Sequence, residues 1–191
     1  MSDPVSSRPS KWDLLDDRLH AECRIFDVRR QWFRHPVDGR EGDFYVLKTS
    51  DWVNVIALTP AEELVMVRQF RYGSRKLSLE TPGGVTEAGE EPLDAGMREL
   101  REETGYAGEG ARLLSFCRPN SAILSNRCFF ALVEKVEKVD EVAFDPNEEI
   151  ETVLVPLDEI SALISSGEIS HSLALNALFL LFMERGFPLP A

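Results

Sequence analysis

Three glutamates, Glu99, Glu102 and Glu103, stand at positions i, i+3 and i+4 inside the stretch GGVTEAGEEPLDAGMRELREETGY, residues 83–106. On an α-helix that spacing gathers them on one side, within roughly 100° of one another. Like charges so placed repel by about a few tenths of a kcal/mol per pair, which an ordinary solvated face tolerates. Their surroundings favour a different reading. Glu99 and Glu103 border the apolar stripe of the same helix, so they belong at the rim of a packed surface, and a glycine turn enters from the other side. Carboxylates, a backbone carbonyl and open water positions make the oxygen-rich site that Mg²⁺ or Mn²⁺ prefers. The residues therefore predict a divalent-metal site, with a solvated helix face as the alternative.

The element that must carry these carboxylates has clear ends. Pro92 suits the first helical position, where its missing N–H is no loss, and Gly105 suits the left-handed stop after the last turn. Between them Leu93, Gly96, Met97, Leu100 and Thr104 form one packing stripe, with Arg98 and Arg101 on the flank opposite the glutamates.

At these residues the chain resembles the Nudix box. Gly84, five residues, Glu90, seven residues, Arg98-Glu99-Leu100, one residue, Glu102-Glu103, one residue, Gly105 and Tyr106 fill every fixed polar and glycine position of that 23-residue signature. Tyr106 stands where an aliphatic residue is usual. Gly96 stands where alanine would be expected, at about 1 kcal/mol of helix propensity. The resemblance implies an α/β/α sandwich around a mixed sheet and hydrolysis of a nucleoside diphosphate linked to a second moiety. It assigns Glu99, Glu102 and Glu103 to Mg²⁺ (or Mn²⁺), with the Gly83 carbonyl completing the metal set, and makes Glu102 and Glu103 catalytic. Arg98 is expected to pair with Glu90 or Glu102 and hold the loop against the helix.

Flanking segments resemble the ADP-ribose and nucleotide-sugar pyrophosphatase branch of that family. Arg68-Gln-Phe-Arg71-Tyr72 and Glu80-Thr-Pro-Gly-Gly84 match segments from which, in that branch, Arg71 and Glu80 would contact substrate. An acidic loop, with six acidic residues between Asp140 and Glu151, matches the one whose glutamate activates water there. Glu148 is the residue aligned with it and Glu149 the alternative. ADP-ribose, giving AMP and ribose 5-phosphate, is the expected substrate, with GDP-, UDP- or ADP-sugars as the alternative. From another class, a nucleotide sensor that does not hydrolyse is the competing reading, set against the intact box glutamates. Asn120, Asn126 and Arg127 are candidate pocket residues or plain turn formers.

The 191 residues, 43% hydrophobic and 28% charged, suit one compact folding unit. A formal net charge of −12 argues against nucleic acid as a partner. Cys23, Cys117 and Cys128 form no CxxC pair, so neither a disulfide framework nor a zinc site is predicted and a reducing cytoplasm is expected. No apolar run approaches the ~20 residues of a membrane span. Residues 1–12 read as a flexible tail, 13–50 as N-terminal strands and 51–191 as the catalytic domain, folding as one with 13–50. By resemblance, the N-terminal strands form a homodimer contact.

Strands are predicted over Glu22–Arg34, Gly42–Thr49, Trp52–Thr59, Leu64–Tyr72, Leu113–Cys117, Cys128–Val136 and Ile150–Val155. Helices are predicted over Pro92–Thr104, Pro156–Ser165 and Ile169–Arg185, the last stopped by Gly186. His171, at the start of that last helix, reads as structural. Strands interleaved with helices predict the same mixed-sheet sandwich.

Overall fold

The computed structural model describes residues 9–143 and 149–186. These divide into two compact units, one of residues up to 49 together with 120–125, the other of residues 50–119 with 126 onward.

The first unit is a small three-stranded antiparallel sheet, one strand more than the two predicted there. Its order is β1 (Asp13–Glu22), β2 (Asp27–Arg34), β3 (Glu41–Lys48). The strand expected from Glu22 begins at Asp27, and the preceding decapeptide DLLDDRLHAE forms a strand of its own. Its charges hide the apolar alternation, and two register shifts, at Leu14/Asp16 and Leu19/Ala21, break the period of two. Arg29 pairs with Asp17 of this strand at 2.8 Å, and between β2 and β3 Arg30 pairs with Asp43 at 2.8 Å and Arg34 with Glu41 at 2.7 Å. Trp12 stacks edge-on against His35 and Phe44. Residues 120–125 join this unit through Leu47, whose N–H donates to the Ile123 carbonyl at 2.7 Å.

The second unit is built on a seven-stranded mixed sheet. Its path runs β12 (Ile150–Pro156), β5 (Glu63–Arg71), β4 (Trp52–Leu58), β10 (Cys128–Glu134), β9 (Arg112–Cys117); β6 (Lys76–Glu80) pairs with β5 and β7 (Gly83–Val85) with β4. Only β4 and β10 run parallel among these pairs. Two short strands, β8 (Tyr106–Ala107) and β11 (Glu137–Lys138), pair separately.

The side-chain period of two sorts the sheet's apolar residues onto two cores. Val55, Ala57, Val65, Ala131 and Val133 pack beneath α1 (Pro92–Thr104) with Leu100. Ile56, Leu58, Leu64, Met66, Phe130 and Leu132 pack on the other face against α2 (Ile160–Ser166) and α3 (Ser172–Arg185). Both faces are covered, so β4 reads as a continuous apolar run broken only by Asn54. This is the expected α/β/α sandwich.

The helix bearing the three glutamates keeps the predicted bounds, with Pro92 in its first turn and Gly105 in the left-handed cap. Gly96 is explained by contact. A Cβ there would meet methyl groups of Val53 and Val55 at 3.0 and 3.1 Å, so glycine lets α1 lie close on β4. Pro156 belongs to β12, and α2 begins only at Ile160. The last helix begins at Ser172, after the buried Ile169.

Candidate active site

Two elements meet at the site: α1, and the Thr81–Val85 segment that leads into and forms β7. That segment is fixed to β4 along its length. The Val55 N–H donates to the Pro82 carbonyl at 2.8 Å, and the Asn54 amide donates to the Thr81 carbonyl and hydroxyl at 3.3 and 3.2 Å. The Cys128 thiol in turn donates to Asn54 Oδ1 at 3.2 Å. Asn54 is thus the one polar residue of a buried strand because a glycine turn must be held there. Its isolation in WVNVIAL was the signal available in the sequence.

Against this fixed turn lie two of the glutamates. Glu103 Oε2 accepts the Gly83 N–H at 2.9 Å, and Glu103 is buried, 5% exposed, deeper than the rim position expected of it. Glu99 packs on the next residue so tightly that a Cβ on Gly84 would come within 2.4 Å of its carboxylate. A Cβ on Gly83 would meet the Val53 carbonyl at 2.1 Å. Two glycines are required for this approach, one facing the strand and one facing the helix.

Arg98 was expected on the far flank with Glu90 or Glu102 as partner. Its long side chain crosses over and joins three carboxylates: Glu90 at 3.0 Å, Glu99 at 2.9 Å and Glu102 at 3.0 Å. It also donates to the Val85 carbonyl at 3.2 Å. Glu90 closes the loop by accepting the Glu87 N–H at 2.9 Å. Bonding first to Glu90, then to Glu99 and Glu102, keeps the Arg98 guanidinium more firmly protonated than usual, against the opposing effect of burial. Arg98, then the Glu87 N–H, holds Glu90 below the usual carboxylate range.

Three carboxylates share one guanidinium, and a fourth, Glu103, stands against the adjoining glycine turn. Among the described residues no three His, Cys, Asp or Glu side chains are set as a finished metal cage. The donors nevertheless fit a hard divalent ion in kind: they are all oxygen, and two are seated against the glycine turn.

Arg71 and Glu80 are brought together as a pair. Arg71 Nε and Nη2 donate to the two carboxylate oxygens of Glu80 at 2.9 and 2.7 Å, and the Glu80 side chain is 0% exposed. The third member is His171, which the sequence presents only as a structural residue at the start of the last helix; its Nδ1 lies 2.9 Å from Glu80 Oε2. Burial pushes the Glu80 carboxyl up, but Arg71 and then His171 outweigh it and bring it down to about 2.

Glu148 lies outside the described residues. The segments flanking its loop are anchored nearby: the Ala143 N–H donates to the Glu102 carbonyl at 2.9 Å, Arg101 pairs with Asp140, and Ile150 is in register with Gln69 of β5. Glu149 is exposed. Of the candidate pocket residues, Arg127 is taken up by Asp51 at 2.6 Å and lies over the Phe129 ring, while Asn126 is buried. Asn120 belongs to the first unit. A surface cavity lined by Glu109, Glu134, Lys135 and Glu137 includes none of these groups.

The chain is similar to several known proteins. A model of the NUDIX domain matches residues 49–174. The ADP-ribose pyrophosphatase of Bacillus subtilis is 29% identical over 133 residues, 69% of this chain and 72% of that protein. The methanol dehydrogenase activator of Bacillus methanolicus is 34% identical over 123 residues, 63% of this chain and 65% of that protein. Among solved structures, an ADP compounds hydrolase superimposes with a TM-score of 0.83 at 20% identity, over 95% of this chain and 99% of that one, a likeness of fold.

Proposed function

Because the chain belongs to the NUDIX domain family, we propose that it hydrolyses the diphosphate linkage of ADP-ribose, giving AMP and ribose 5-phosphate. The observation that carries this reading is the α1 carboxylate set gathered against the Gly83-Gly84 turn. It is supported by the similarity to the Bacillus subtilis ADP-ribose pyrophosphatase.

Nudix hydrolases in general depend on divalent metal. Glu99, Glu102, Glu103 and the Gly83 carbonyl would hold Mg²⁺ or Mn²⁺. Such an ion, when bound, supplies Lewis-acid polarisation of the diphosphate and a more acidic water. The chain's own groups do the rest. Glu102 and Glu103 keep negative charge where the water is oriented, and Glu148, or Glu149 beside it, takes the water's proton. Arg71 receives charge that spreads onto the non-bridging oxygens as the anhydride P–O bond breaks. One phosphorus gains the water's oxygen and the other leaves as a phosphate monoester. Glu90 and Arg98 hold the loop against the helix and keep the carboxylates in place. Glu80, buried and bonded to Arg71, acts on substrate through that arginine.

The N-terminal sheet leaves Leu14, Leu19, Phe44 and Tyr45 about half exposed. We assign it to a homodimer contact, which sedimentation equilibrium of the full chain would detect. Among the described residues no helix is long and apolar enough to cross a membrane.

The substrate proposal is tested by incubating the protein and Mg²⁺ with ADP-ribose and with ADP-, GDP- and UDP-sugars while following nucleoside monophosphate release. Fastest release from ADP-ribose supports it. Preference for a GDP- or UDP-sugar overturns the substrate, and no release from any of them overturns the activity.

A further inference from the structure

His171 occupies the N-cap of α3 yet makes no side-chain cap bond to its own helix. Ser, Thr, Asp or Asn is the preferred residue at such a position, and Ser170 and Ser172 stand on either side of it. The imidazole lies against Glu80, with Nδ1 2.9 Å from Oε2, an ion-pair distance without the alignment of a hydrogen bond. That same oxygen accepts Arg71 Nη2 at 2.7 Å while Oε1 accepts Nε at 2.9 Å.

The three residues differ in how firmly they are held. His171 is set by α3, whose Leu173, Ala174, Ala177, Leu178 and Leu181 are buried in the core. Glu80 ends β6 and is fully enclosed. Arg71 ends β5 on a long, flexible side chain that is 43% exposed. A fork-to-fork pair makes guanidinium and carboxylate coplanar, so whatever fixes the carboxylate plane fixes the guanidinium plane. We propose that His171 is a positioning residue: by orienting the Glu80 carboxylate from the rigid end of α3, it sets the plane in which Arg71 meets a diphosphate. The diphosphate part of this proposal rests on the function proposed above; the orienting contact does not.

The test uses the full ¹⁵N-labelled chain, with the Arg71 Nε–H resonance assigned by its loss in Arg71→Lys. In His171→Ala that resonance should broaden or merge with those of freely exchanging arginines, and KM for ADP-ribose should rise roughly tenfold with kcat changed less than about threefold. His171→Asn, whose amide nitrogen takes the place of Nδ1, should restore both. His171→Leu replaces the alanine variant if that one does not fold. An Arg71 resonance unchanged by removal of the imidazole overturns the proposal. So does a fall in kcat and kcat/KM together that follows lost folded protein and is not rescued by asparagine. If wild type cleaves no nucleoside diphosphate compound while the resonance responds as described, the function proposed above fails and the positioning role stands.

Discussion

Glu103 Oε2 accepts the backbone N–H of Gly83 at 2.9 Å, twenty residues back along the chain. One carboxylate oxygen therefore locks the glycine turn onto α1, and this structural role separates by substitution from the catalytic role proposed for the residue. Glu103→Gln keeps an acceptor for Gly83 but loses the charge. It should lose at least roughly 100-fold in kcat with the fold intact. Glu103→Ala should in addition lose about 2 kcal/mol of stability, because the Gly83 N–H is left without its partner. Steady-state rates and urea unfolding on both variants check this.

Two glycine-to-alanine changes should separate site from scaffold. Gly84→Ala places a methyl group 2.4 Å from the Glu99 carboxylate, so if Glu99 is displaced from its proposed place at the metal the effect should fall on activity, with roughly a tenfold loss or more. Gly96→Ala gains helix propensity of about 1 kcal/mol. It also presses on Val53 and Val55 at 3.0 and 3.1 Å, and overpacking of a core costs about 1–3 kcal/mol. Net destabilisation with near-native kcat is expected, read by urea unfolding beside the rate.

Arg98 holds Glu90, Glu99 and Glu102 in one arrangement. Arg98→Ala should lower kcat by roughly 10–100-fold, the usual effect of removing a group that orients metal ligands. Arg98→Lys should recover little, because one ammonium cannot reproduce the guanidinium fork. Rates measured at saturating Mg²⁺ test both.

The buried Glu80 makes stability depend on pH in a defined window. Its carboxyl falls from an ordinary value of 4.5 to about 2 in the folded chain. A depressed value means that the folded state gains stability above pH 4.5 and loses it as pH falls toward about 2. The contribution is on the order of 2 kcal/mol, since water around the half-exposed Arg71 screens part of the attraction. Glu80→Gln should be less stable near neutral pH and show a smaller loss across that window. Chemical unfolding at a series of pH values measures it.

How much of this was legible in the sequence depended on distance along the chain. The α1 bounds, the box glutamates and the sandwich were readable because Pro92, Gly105 and the helical and strand periods are local signals. The Arg98–Glu99 contact was not, because a wheel places Cα positions and says nothing of a side chain long enough to cross the helix. Asn54, Cys128 and His171 join the site only through tertiary pairing, and His171, at the start of α3, lies 91 residues beyond Glu80, which ends a strand. β1 was hidden by its charges, of which Asp17 pairs across the sheet with Arg29 and Asp16 pairs with Arg18 on its own strand.

The role proposed for the α1 carboxylates is a metal-dependent cleavage of a diphosphate linkage. It is tested most directly by one assay: AMP and ribose 5-phosphate released from ADP-ribose by wild type and by Glu103→Gln, with Mg²⁺ and again after EDTA. Wild type with Mg²⁺ should release both products rapidly, lose that release on chelation and recover it when Mg²⁺ is returned. Glu103→Gln should stay nearly inactive throughout. Release that persists in EDTA, or a Glu103→Gln variant with the wild-type rate, would contradict that role.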